Sequence, residues 1–338
     1  MSERLNEDIR WFHESYQRVI AEVGKDIVGQ RDVVEHIVLA LIAGGNVLLE
    51  GVPGTGKTRL VKTIGKALEL SFSRIQFLPD LMPADVTGTT VMERKEDGSV
   101  RFRFQPGPVF SQIVLADEIN RATPKTQSAM LEVMQEHTVS VDGKNYPMAE
   151  PFFVLATQNP VEQDGTYALP EAQIDRFLFK LEMSFPSLEE LRGIVQMTQK
   201  TEEIKAQPVL NGEGLLKMRS LANQALIADD VMTWALRLVK ATHPEDADAS
   251  PAARQYLRMG ASPRAAQALV TAAKARALAR GAYNVSYDDL RALSFPVLRH
   301  RIRLNYEAVA EGKTPDELIG RMLEELDKRP GRAGRKPF

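Results

Sequence analysis

One segment constrains the fold more than any other feature of this 338-residue chain: Gly51-Val52-Pro53-Gly54-Thr55-Gly56-Lys57-Thr58. It follows a short apolar run, Asn46 to Glu50, and opens a helical stretch from Lys57 to Leu70. The run is too short for a helix of its own, so the order is strand, glycine-rich loop, helix. Small residues let successive backbone amides of such a loop turn inward, and the helix N-terminus adds positive potential, which together make a cradle for a polyphosphate. Gly51, Pro53, Gly54, Thr55 and Gly56 would supply that backbone. Lys57 would reach the β and γ phosphates, and the Thr58 hydroxyl would ligate Mg2+.

A buried strand needs neighbours. The same short apolar signature recurs at Ile113 to Ala116 and at Phe152 to Ala156, with helical stretches such as Lys125 to Gln135 between. Upstream, residues 1–30 read as a polar-faced helix and a turn, and Val33, Val34, Ile37, Val38 and Leu41 recur at helical spacing up to Gly44-Gly45. Strands alternating with helices predict an α/β fold, a parallel sheet covered on both faces. Two insertions read as hairpins: 88–104, turning at Glu96-Asp97-Gly98-Ser99, and 138–150, turning at Asp142-Gly143. Beyond Pro186 the chain becomes rich in Ala, Leu and Arg, with amphipathic helices expected near 188–205, 212–226, 229–242, 263–280, 287–303 and 315–327. Ser262-Pro263 and Thr314-Pro315-Asp316-Glu317 carry helix-start signatures. The expected organisation is therefore a nucleotide-binding core over 1–186, a smaller all-α domain over 187–327, and a basic, disordered tail over 328–338.

The strand at 113–116 runs into Asp117 and Glu118. Neighbouring parallel strands present their C-terminal ends to one crevice, so Asp117 would reach the magnesium side of the phosphates and Glu118 would polarise a water for in-line attack. The third strand ends in Thr157-Gln158-Asn159-Pro160, where Asn159 would orient that water; Asn-Pro is equally a plain turn opener. Composition narrows the alternatives. The chain has no cysteine, which removes disulfides, thiolate nucleophiles and Cys-ligated metals. Lys plus Arg number 43 against 45 Asp plus Glu, a net charge of -2, so nucleic acid is not an expected obligatory partner. The five histidines show no paired ligand spacing, and Asp246-Ala247-Asp248 lacks the glycine and closing glutamate of a calcium loop. No export signal is read at the N-terminus, and the longest nearly apolar run, 13 residues from Ile37 to Leu49, is shorter than the roughly 20 a membrane span needs. A cytoplasmic protein without a transmembrane segment is expected.

With these motifs in place the chain resembles the AAA+ ATPases, and among them the MoxR family of the helix-2-insert branch, over residues 5–325. The resemblance is carried by the Walker A stretch 51–58, the Walker B stretch 115–122, the sensor 1 stretch 155–160, Leu169 to Phe177, and Gly260 to Ala265. It implies a P-loop AAA+ core followed by an all-α lid, with 88–104 as the helix-2 insert and 138–150 as the hairpin before sensor 1. It further implies ATP/ADP and Mg2+ as cofactors, Arg176 as an arginine finger offered to a neighbouring subunit, and Arg264 as the sensor 2 arginine. Gln30 resembles the segment that borders the adenine. Arg121 reads either as a further interface arginine or as an ordinary surface charge. Phe102 and Phe104 read either as core or as contacts to a partner.

The function implied is ATP hydrolysis in a homo-oligomeric ring, a hexamer, driving chaperone-like remodelling or metal-cofactor maturation of a client protein, with a von Willebrand factor A domain protein as partner. A motor subunit of a magnesium or cobalt chelatase shares these features. A DNA-translocating motor is disfavoured by the charge balance, and a scaffold that binds ATP without turnover is disfavoured by Glu118 and Asn159.

Overall fold

The structure is a computed structural model that describes residues 3–52, 54–94, 96, 99–159, 166–199 and 205–328. Pro53, Pro160, the centre of the 88–104 turn and residues 329–338 of the expected tail lie outside the described residues. By packing, the chain divides into one unit spanning Trp11–Ser220 and another formed by Met1–Arg10 with Leu221–Phe338.

The first unit contains α1 (Glu3–Val23, from Trp11 on), α2 (Arg31–Ala43), β1 (Val47–Gly51), α3 (Lys57–Ala67), β2 (Phe72–Gln76), α4 (Pro83–Thr87), β3 (Gly88–Arg94) and β4 (Val100–Pro106). These are followed by β5 (Ile113–Asp117), α5 (Pro124–Glu136), β6 (Thr138–Val141), β7 (Lys144–Pro147), β8 (Phe153–Gln158), α6 (Glu171–Ile174), β9 (Phe179–Met183), α7 (Leu188–Gln199) and α8 (Gly212–Gln224, as far as Ser220). Five strands form one sheet in the order β2-β5-β8-β1-β9, every pair parallel. Both faces are covered, which is why the three central strands read as unbroken apolar runs. On one face Leu48, Val114, Ala116, Val154 and Ala156 pack with Met130, Leu131 and Met134 of α5. On the other, Gly65 of α3 lets that helix approach Ile113 and Phe72, a Cβ there lying 3.7 Å from each.

Both expected insertions are antiparallel hairpins, β3 with β4 and β6 with β7. The base of the first is a glycine crossing: a Cβ on Gly88, whose φ is +93°, would lie 2.3 Å from the Gln105 carbonyl, and one on Gly107 would lie 2.4 Å from that of Val86. No side chain fits either position. The hairpin separates its two phenylalanines. Phe104 stacks on Tyr146 of β7 at 4.0 Å between ring centroids, whereas Phe102 is 71% exposed beside exposed Met92, its cross-strand partner.

The division of the chain falls beyond the expected boundary at Pro186, because residues 205–219 are tied to the first unit. The buried Asp26 carboxylate accepts the backbone N–H groups of Lys205 and Ala206 at 2.9 and 2.7 Å, and Glu22 accepts that of Gln207 at 2.8 Å. The Val209 amide donates to Ala67 at the end of α3. Buried amides of a connecting segment need such acceptors, and Glu22 and Asp26 supply them at the end of α1.

The second unit is helical: α9 (Asp229–Ala241), α10 (Pro251–Tyr256), α11 (Pro263–Ala279), α12 (Tyr287–Leu298), α13 (Tyr306–Ala310) and α14 (Pro315–Lys328). The helix expected over 287–303 stops at Leu298; β11 (Arg303–Leu304) then pairs antiparallel with β10 (Leu257–Met259). Asp289 holds this unit together. Its side chain is fully buried and takes bonds from Arg276 at 2.6 Å, from Arg280 at 2.7 and 2.8 Å, and from the Ser286 amide and hydroxyl at 2.8 and 2.7 Å. Burial alone would push its pKa up, but the Arg280 and Ser286 bonds outweigh it and hold the carboxyl below its ordinary value.

Asp289→Asn should therefore lower unfolding free energy at neutral pH by about 3 kcal/mol, the scale of breaking a buried ion pair. A depressed carboxylate stabilises fully above its unfolded pKa of about 3.9 and loses that contribution as pH falls through the lower folded value. The stability gap between wild type and variant, read from urea unfolding, should accordingly stay constant from pH 7 to about 5 and narrow below about 4.

Candidate functional site

The carboxyl edge of the sheet presents, side by side, the ends of β2, β5, β8 and β1. In register, Gln76 lies opposite Asp117, Ala116 opposite Ala156 and Glu50 opposite Gln158. The loop after β1 therefore opens beside Asn159 and one strand from Asp117. A cleft is lined by Gly54 to Arg59, Arg74, Asp117, Glu118 and Asn159. The structure thus brings together Gly54, Thr55, Gly56, Lys57, Thr58, Asp117, Glu118 and Asn159, which the sequence placed on three separate strand ends.

The loop is built for an anion. Gly54 and Gly56 have φ of +81° and +86°, and a Cβ on either would meet nothing within 4 Å, so the backbone turns around open space. Only glycine adopts such φ values without steric cost. Gly51 is needed for another reason: a Cβ there would lie 2.8 Å from that of Met183 on β9. The Thr55 hydroxyl donates to the Val52 carbonyl at 3.0 Å, and the Lys57 ammonium is folded back onto the Gly51 carbonyl. Burial pulls the Lys57 pKa below the usual lysine value, with Asp117, Glu118 and Glu50 pulling the other way. Thr58 sits in the first turn of α3 and lines the cleft.

Opposite the loop, one hydroxyl joins the two acids. Thr157 Oγ1 donates to Asp117 Oδ1 at 2.6 Å and accepts the Glu118 backbone N–H at 2.8 Å. Arg74 of β2 donates Nε and Nη2 to Asp117 Oδ2 at 3.0 and 2.7 Å. Gln76, two residues along the same strand, donates to Glu118 Oε2 at 2.7 Å, and Arg121 reaches the same oxygen at 3.3 Å. The sequence reading left Arg121 open; in the structure it is an ion-pair partner of Glu118 in its own chain. Arg74, Gln76 and Thr157 were not found from the sequence. The only local signal for Arg74 and Gln76 is that residues 72, 74 and 76 share one side of a short strand, while Thr157 lies in the strand end singled out for Asn159.

Gln30 lies around the corner. Its backbone is left-handed at φ +54°, its side chain donates to the Ser184 carbonyl at 3.0 Å, and it borders a second cavity on the far side of Gly54 to Gly56. Ile27, Val28, Leu60, Met183 and Ile194 make that cavity a largely apolar slot, and Arg59 and the buried Asp26, paired at 3.1 Å, edge it. A flat heterocycle beside a polyphosphate would meet an apolar slot and an anion cradle in succession.

Two further expected site residues belong to other elements. Arg176 follows α6 and is outside the lining of either cavity; its Nε is buried with no hydrogen-bond partner among the described residues. Arg264 opens α11 in the helical unit, where the Ser262 hydroxyl accepts its amide at 3.2 Å.

Known proteins are similar to this chain. Residues 46–179 match the family model for the ATPase family associated with various cellular activities (AAA), and residues 249–322 match the AAA lid domain. The chaperone MoxR1 of Mycobacterium tuberculosis is 42% identical over 308 residues, 91% of this chain and 81% of that protein. Protein MoxR of Paracoccus denitrificans is 31% identical over 330 residues, 92% of this chain and 96% of that one. The crystal structure of a candidate ATPase from Cytophaga hutchinsonii superposes with a TM-score of 0.87 at 39% identity, covering 94% of this chain and 96% of that one. The chain belongs to the MoxR family of AAA+ ATPases. No helix among the described residues is long and apolar enough to cross a membrane.

The lowered pKa of Lys57 has a measurable consequence. A phosphate cradle needs the charged amine, so affinity for fluorescently labelled ATP should decline with rising alkaline pH sooner than titration of an ordinary lysine, near about 10.4, would bring about. Lys57→Arg, whatever its absolute affinity, should bind with no such alkaline decline, because a guanidinium stays protonated over this range.

Proposed function

We propose that this chain hydrolyses ATP as a ring of identical subunits, a hexamer, and uses the turnover for chaperone-like remodelling or cofactor maturation of a partner protein. The observation that carries the proposal is the convergence of an anion-binding loop, an ammonium, a threonine hydroxyl and two carboxylates in one cleft. That donor set fits a polyphosphate with a divalent cation: hard oxygen ligands for magnesium from Thr58 and Asp117, and amides and Lys57 for the phosphates. Magnesium held by Thr58 and Asp117 would supply charge neutralisation to the polyphosphate.

The remaining work falls to the chain's own side chains. Gly54, Thr55 and Gly56 hold the phosphates through backbone amides, Gly51 and Pro53 complete the loop by sequence, and Gln30 borders the base. Glu118, half-buried and anchored by Gln76 and Arg121, takes the proton of the attacking water, while Asn159 orients it. Arg176 is offered to the nucleotide of a neighbouring subunit, a reading supported by its position outside the lining of its own cleft and by an Nε that has no hydrogen-bond partner among the described residues. Arg264 acts as the sensor 2 arginine. The family resemblance supports a von Willebrand factor A domain partner and a separate client, and the name of the M. tuberculosis relative supports chaperone work.

Glu118→Gln should bind labelled ATP within a few-fold of wild type while phosphate release drops at least about a hundredfold. Near-normal turnover in that variant would remove Glu118 from the mechanism. For Arg176, subunit mixing decides. Arg176→Ala subunits combined with Lys57→Ala subunits should recover activity that neither has alone, since some interfaces pair an intact pocket with an intact arginine. Hydrolysis per chain should also rise with protein concentration and flatten once rings form. Turnover independent of concentration in a monomer would exclude the assignment.

A further inference from the structure

Arg74 lies on the edge strand of the sheet, yet it lines the phosphate cleft and holds Asp117 with two nitrogens on one oxygen. Thr157 holds the other oxygen. Any cation that coordinates this carboxylate has to share it with a fixed hydroxyl and a guanidinium. The two partners differ in how readily they yield. Thr157 is buried and also accepts the Glu118 amide, so it cannot leave without stranding a backbone donor. Arg74 is 46% exposed at its side chain, and its Nη2 has a second acceptor in Gln76 Oε1 at 2.5 Å, so it can leave Oδ2 and stay solvated and bonded.

We propose that Arg74 is a positioning residue that competes with the divalent cation for Asp117 and stands in for its charge at that carboxylate. This rests on reading Asp117 as the metal-side acid. While the guanidinium is on Oδ2, Asp117 presents little net negative charge to an incoming polyphosphate, so nucleotide can enter without metal. A divalent cation arriving at the same carboxylate is repelled by the guanidinium at a few ångströms, an interaction large compared with RT in a half-buried cleft, and has to displace it. Arg74 therefore lowers the coupling between metal binding and nucleotide binding. An ordinary edge-strand ion pair would touch stability alone.

The test uses the full chain and fluorescently labelled ATP, with dissociation constants measured in excess EDTA and in excess Mg2+ at matched ionic strength. The quantity read is the ratio of the two. In Arg74→Gln a bare Asp117 repels metal-free nucleotide and receives the cation unopposed, so the ratio should rise about five- to tenfold. Arg74→Lys keeps the charge but loses the fork, and should fall between wild type and Arg74→Gln. A ratio within twofold of wild type in a folded Arg74→Gln, or a lower one, overturns the proposal. Circular dichroism establishes folding; should Arg74→Gln fail to fold, Arg74→Lys carries the test, a rise of at least about twofold being expected and no rise being fatal. Asp117→Asn separates the two levels of inference. Its ratio should collapse towards one. If it keeps the wild-type ratio, the metal reading of Asp117 falls and the competition with it; if it collapses while Arg74→Gln stays unchanged, the competition alone is overturned.

Discussion

Backbone hydrogen bonding inside a sheet covered on both faces leaves no freedom of register, and the cleft is a consequence of that. Every amide and carbonyl of the central strands β5, β8 and β1 must find its partner in a neighbouring strand, since water cannot reach them. A slip of one residue would also turn Val114 and Ala116, or Val154 and Ala156, from one helix layer to the other. Once Ala116 is opposite Ala156 and Glu50 opposite Gln158, the ends of the strands are level, and whatever residues follow them share one edge. Asp117, Asn159 and the loop at Gly51 meet for this reason and for no local one. The Thr157 hydroxyl then converts alignment into attachment, because it bonds the Asp117 carboxylate and the Glu118 amide from the adjacent strand.

The charges in the cleft are arranged so that few stand alone. Lys57 is drawn towards neutrality by burial and back by Asp117, Glu118 and Glu50. Asp117 faces Arg74, and Glu118 faces Gln76 and Arg121. A half-buried charge is costly unless something opposite or hydrogen-bonding compensates it, so these pairings are the condition for keeping two carboxylates beside an apolar sheet. The groups that compensate the acids come from β2, from β8 and from the turn after β5, whereas those proposed to face phosphates come from the loop and the start of α3. Ligand-binding and carboxylate-holding roles are thereby divided between different elements.

Much of this was legible in the residues, and the parts that were not fail for identifiable reasons. The runs at 46–50, 113–116 and 152–156 announce buried strands because both of their faces are covered, and the glycine-rich segment announces its loop by composition. The edge strand β2 was missed. Its Phe-Ser-Arg-Ile-Gln sequence is only partly buried and carries no apolar run, so Arg74 and Gln76 had no strand to belong to. Their partners lie 43 and 42 residues away, and only the β2–β5 register brings them together. The ladder of β10 and β11 was missed because three and two residues are too few to show a period, and residue 303 was consequently assigned to a helix that ends at Leu298. The hold of Asp26 and Glu22 on residues 205–207 spans about 180 residues and leaves no trace in local composition, whereas the change in character after Pro186 does.

Two consecutive acids share the cleft as the sequence placed them, but by a backbone geometry that strand periodicity alone does not give. Along a strand, successive side chains point to opposite faces, so Asp117 and Glu118 should diverge. They do not, because β5 stops at Asp117 and Glu118 takes a left-handed backbone at φ 55° and ψ 49°. That conformation costs a non-glycine residue roughly 1–2 kcal/mol. Glycine would remove the strain and the carboxylate with it. The strained backbone is held at both of its polar groups: the Glu118 amide donates to Thr157, and its carbonyl accepts the Arg121 amide at 2.9 Å in the turn that follows. Gln76 and Arg121 then fix the carboxylate itself. A residue whose backbone and side chain are both tied while its local conformation is disfavoured is over-determined by its surroundings, the condition under which strain persists at a reactive position. Glu118 thus faces the cleft through a local departure from strand geometry, which the aligned sheet supports but could not have produced by alternation alone.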